Sequence, residues 1–113
     1  MRDTLAALIE RVETATGPDR DIDFAVAAAV GWPDSPHSHQ HARRYTEHLD
    51  AAVSLVPEGW GYELRRGHSG ERRALCRMWD GRGIWTGGTV AATPALALVA
   101  AALRARMEAA HDR

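Results

Sequence analysis

Three histidines alternate in the stretch HSHQH, as His37, His39 and His41, with His48 a little further on. Neutral imidazole is the commonest side-chain ligand of transition metals, so such a tract invites zinc, copper or nickel. A metal site also needs ligands held in place by outer hydrogen-bond partners. These histidines lie in a polar stretch, WPDSPHSHQH, broken by Pro33 and Pro36, and no HExxH spacing occurs. A solvated loop is the simpler reading. His37, His39 and His41 stay the alternative metal ligands, and no cofactor is expected.

A second constellation pairs arginine with tryptophan. Over residues 72–79 the period-2 pattern puts Arg73, Leu75, Arg77 and Trp79 on one face, and Trp85 follows the Asp80-Gly81 turn. Guanidinium groups beside aromatic rings hold anionic or flat ligands such as nucleotides. Arg73, Arg77, Trp79 and Trp85 are therefore the candidate ligand-binding set. The competing explanation is structural, because tryptophans commonly fill the space between a sheet and its helices or a subunit interface.

The run RRGHSGERR sets Arg65, Arg66, Arg72 and Arg73 around a glycine-bearing turn. Such a group can bind phosphate. Phosphate-cradling glycine loops lead from a strand into a helix N-terminus, whereas this one joins two strands, which points to a solvated hairpin tip. Ser35, Ser54 and Ser69 stand in no GxSxG-like context, and no catalytic residue is assigned. Cys76 is the single cysteine, which excludes an intrachain disulfide and reads as a small buried apolar side chain.

The elements that must position these residues are legible from periodicity. Leu5, Leu8, Ile9 and Val12 predict a helix over 3–15, ended by Gly17-Pro18. Asp19 caps a second, with Ile22, Val26, Ala29 and Val30 inward and Gly31 and Pro33 closing it. A third is expected from about 43 to 55, with Tyr45, Leu49, Ala52, Val53 and Val56 facing inward. Alternation at 60–65 and 72–79 predicts a hairpin, and Ile84-Trp85 a short third strand before Gly87-Gly88 loosens the chain. The last helix, TPALALVAAALRARM over 93–107, opens with Thr93 as cap and Pro94 at the first helical position. It has no charge from Thr93 to Leu103, so nearly its whole circumference can be buried. Its uncharged run is far short of the roughly 20 residues a membrane span needs. The order predicts one α+β domain over 1–113, an αβα layered sandwich built on a small two- to three-stranded antiparallel meander.

Composition narrows the function classes. The chain has 113 residues, 45% hydrophobic and 26% charged, as a packed globular domain requires. All 14 lysine-or-arginine positions are arginine, and the formal net charge of −1 argues against a general nucleic-acid binder. A double-stranded RNA-binding domain would have basic residues at the start of its last helix, where this chain reads AATPALALV. The charged N-terminal stretch has no apolar leader region, so the expected location is the cytoplasm.

Three phrases, TGPDRDIDFAVAAAVGW (16–32), YTEHLDAAVSLVPEGW (45–60) and AATPALALVAAALRAR (91–106), together resemble the phage ABA-sandwich domain of small phage and prophage proteins. The resemblance implies a helix–sheet–helix layered fold, a phage or prophage origin and a bacterial host cell. It implies no activity and no site residues. The reading that follows is a non-enzymatic accessory module binding a host or phage protein, expected as a homodimer or small even-numbered oligomer through a sheet edge or aromatic patch. The alternative is an oligomeric binder of a nucleotide-like small molecule, and a metal-binding or hydrolytic enzyme ranks third.

Overall fold

In the computed structural model, residues 2–30, 43–67, 73–83 and 85–111 are described. Helix α1 (Arg2–Thr14) turns into α2 (Arg20–Ala29), and a short α3 (Leu49–Val53) leads into strands β1 (Gly61–Arg66), β2 (Ala74–Trp79) and β3 (Trp85–Ala91) before α4 (Pro94–His111). The strands form an antiparallel meander in the order β1-β2-β3. This is an α+β domain with a three-stranded sheet flanked by helices, as the pattern predicts.

Helix α4 organises the packing. It lies against all three strands and against α1 and α3, while α1 also meets α2 and β3. Every residue from Ala95 to Leu103 is buried, matching a sequence that offers no charged stripe to solvent. Its alanines let neighbouring backbones approach from several sides, and Leu96, Leu98, Val99 and Leu103 fill the spaces between them. Thr93 caps the helix as expected, its hydroxyl accepting from the Leu96 N–H at 3.2 Å. Thr89 on β3 donates its hydroxyl proton to the Ala97 carbonyl at 3.0 Å, fastening the helix to the sheet. Arg104 reaches both carboxylate oxygens of Glu13 on α1 at 3.0 Å, and Arg106 Nε donates to the Leu55 carbonyl.

Two expectations are corrected. The third helix begins at Leu49 rather than near 43, because residues before it are used elsewhere. The backbone N–H and hydroxyl of Thr46 both lie 2.9 Å from Asp23 Oδ1, and the Asp19 N–H donates to the Thr46 hydroxyl at 2.9 Å. Arg20 completes the cluster on Asp23 Oδ2 at 3.1 Å, so the 2% exposed carboxylate is fully partnered. His48 is then extended and starts α3. Leu49, expected inside, is consequently 43% exposed at the first position of a short helix. On α2, Ile22, Val26 and Ala27 are buried, but Ala29 is exposed and Val30 only half-buried.

The second correction concerns Gly87-Gly88. The pair does not loosen the chain but lies within β3, which runs to Ala91. Between the pairs Arg77↔Gly88 and Trp79↔Trp85 the register shifts by one extra residue on β3, a β-bulge. Asp80 closes the connecting turn, accepting the Arg82 N–H at 2.8 Å.

Candidate interaction surface

The two faces of β2 have different fates. Ala74, Cys76 and Met78 point under α4 into the core, whereas Leu75, Arg77 and Trp79 point the other way. The register carries this outer face across the sheet: Gly61 opposes Trp79, Glu63 opposes Arg77, Arg65 opposes Leu75, and on β3 Gly88 and Val90 oppose Arg77 and Leu75. Arg65, Arg77 and Gly88 are exposed there.

Glycines on the edge strands make room for the large side chains of the central one. The indole of Trp79 lies across β1 at Gly61, where a β-carbon would overlap the ring. On the opposite side a β-carbon at Gly88 would come within 2.9 Å of Leu75 Cδ1. Trp79 and Leu75 thus lean in opposite directions over glycine, leaving Arg77 standing between them. The Arg77 guanidinium has no hydrogen bond or ion pair among the described residues, whereas Arg65 pairs with Glu63 at 3.1 Å.

Of the predicted ligand set, Arg73, Arg77 and Trp79 have described side chains. Arg77 and Trp79 share the outer face, Arg73 immediately precedes β2, and the register sets Trp85 directly opposite Trp79. The side chain of Trp85 lies outside the described residues, as do His37, His39 and His41. Among the described residues no group of three histidine, cysteine or acidic side chains is placed to hold a metal.

Sequence reasoning missed one neighbourhood. Arg66 and Arg73, at the base of the β1–β2 hairpin, line a cleft of about 550 Å³ with Thr93 and Pro94 at the start of α4. The hairpin joins two strands, yet folding brings Arg66 and Arg73 beside a helix N-terminus. No local signal marks that approach, since the residues are far apart in sequence.

Two buried groups are chemically quiet. Burial pushes the Cys76 thiol up to about 12, so it is not a nucleophile near neutral pH. Tyr45 is 1% exposed, and its hydroxyl finds no partner among the described residues. Burial raises its pKa above 10.0, with Arg43 and Arg106 opposing the shift and Asp23 adding to it.

No family model, curated protein or solved structure matches the chain.

Proposed function

We propose that this chain is a non-enzymatic interaction module, a small accessory protein of phage or prophage origin, that docks a host or phage protein on the outer face of its sheet. The observation behind this reading is that face itself: an indole, Leu75 and Val90 set among arginines, with Arg77 standing unpaired among the described residues. Aromatic and arginine side chains together are the composition that interfaces favour. The charge distribution favours an acidic partner surface. Residues 58–92 carry six arginines against four acidic residues, while the rest of the chain carries eight against eleven. The phrases resembling the phage ABA-sandwich domain support the origin and, with it, action in the cytoplasm of a bacterial host. No described helix is long and apolar enough to cross a membrane.

Site-specific photocrosslinking tests this reading. A photoreactive residue at Arg77 should capture one discrete protein from host or infected-cell extract, and the same residue at Glu47, on the helical side, should not. Equal capture from both positions would remove the sheet face as the docking surface. Stabilisation by a nucleotide panel without any capture would turn the reading towards small-molecule binding.

A further inference from the structure

Strand β1 is an edge of the sheet, and among the described residues nothing pairs with its outward side. The other edge, β3, is met by α1. Strand β1 is six residues long, has no proline, and keeps an unbroken register with β2. Such an edge presents unpaired backbone groups that invite another strand. Its side chains add specificity. Tyr62 is 38% exposed and Leu64 half-buried on the face that bears α4, while Glu63 and Arg65 lie on the outer face.

We propose that β1 pairs antiparallel with β1 of a second copy of this chain about a two-fold axis at Leu64, making one continuous six-stranded sheet. The charge pattern selects both partner and register. Directly opposite residues in an antiparallel pair share a face, so the axis must pass through a residue position for the two outer faces to coincide. An axis at Leu64 sets Glu63 of one protomer opposite Arg65 of its partner, twice. It also sets Tyr62 opposite Arg66, a ring–guanidinium pairing, and Leu64 opposite itself. An axis at Glu63 would bring two carboxylates face to face, and one at Arg65 two guanidinium groups. The strand GYELRR is thus self-complementary in one register and repelled in its neighbours on that face. Glu63 and Arg65 pair within the chain at 3.1 Å, so dimerisation exchanges one intrachain contact per protomer for two between protomers. The dimer is independent of the docking reading and would double the outer face into a bivalent platform.

Light scattering over a low- to high-micromolar series tests the pairing, together with charge swaps. The wild type should reach about twice the 12.4 kDa chain mass. Glu63→Arg and Arg65→Glu should each raise the dissociation constant at least roughly tenfold. The double variant E63R/R65E should recover the dimer, since the swapped charges oppose each other again. Because Cys76 lies directly opposite Leu64 across β1 and β2, oxidation of Leu64→Cys in a Cys76→Ala background should give a covalent dimer, and this crosslink decides the matter if circular dichroism shows a charge-swap variant unfolded. A wild type that stays monomeric, a dimer indifferent to both reversals, or a double variant that stays dissociated would each overturn the proposal.

Discussion

The inward and outward faces of β2 are built from the same six-residue strand but obey different rules. Inward, Ala74, Cys76 and Met78 are each at most 1% exposed and meet a helix buried along most of its length. Outward, Leu75 is buried beside Gly88 but Arg77 is exposed and Trp79 only half-buried. The inward face is closed by volume, since any change there leaves a cavity or an overlap. The outward face is governed by where glycine permits a side chain to lie down. A small domain can thus hold a densely packed core on one side of a sheet and leave side chains of the other side exposed.

The sharpest test of this contrast lies in the core. Leu103→Ala should cost ~2–5 kcal/mol in chemical denaturation, because Leu103 is fully buried and its neighbours cannot collapse completely. A loss below about 1 kcal/mol would show that α4 is not the packed centre.

Alkaline pH acts on the same closed side. The folded thiol of Cys76 has its pKa raised from 9.0 to about 12, so the unfolded chain loses this proton first. The stability contribution is complete below pH 9 and is lost as pH rises from 9 to 12, with a slope of at most ~1.4 kcal/mol per pH unit. Tyr45, also raised, adds a loss of the same sign above pH 10. Denaturation at a series of pH values should show the fall, and Cys76→Ala should flatten the part beginning near pH 9.

A smaller effect separates the two glycines of the outer face. Gly61→Ala must displace the Trp79 ring and should cost ~1–3 kcal/mol with a change in tryptophan emission. Gly88→Ala meets only the end of Leu75, a flexible side chain, and should cost less. Equal costs would mean that Trp79 is not seated on Gly61.

The smallest effect is expected at the centre of the open face. Arg77→Ala should leave stability within about 0.5 kcal/mol, the range of surface changes away from special features. A larger loss in thermal or denaturant unfolding would show that Arg77 belongs to the fold rather than to a docking surface.

Local pattern was enough wherever a residue answers to its near neighbours in the chain. Asp19 accepts the Asp21 and Ile22 N–H groups, and Thr93 with Pro94 opens α4, each readable within a few residues. The unbroken apolar run of α4 likewise announced a helix buried all round, and alternation placed Arg77 and Trp79 on one face. Long-range partners decided the rest. Thr46 gave up a helical position because Asp19 and Asp23 lie against it, and Leu49 was left outside as a result. Gly87-Gly88 reads as a flexible pair but is held in a strand by β2, with Leu75 occupying the space above Gly88. Periodicity reports which side of an element is apolar. Which strand forms an edge, which arginines meet a helix N-terminus and which polar groups are buried together depend on residues brought close only when the chain folds.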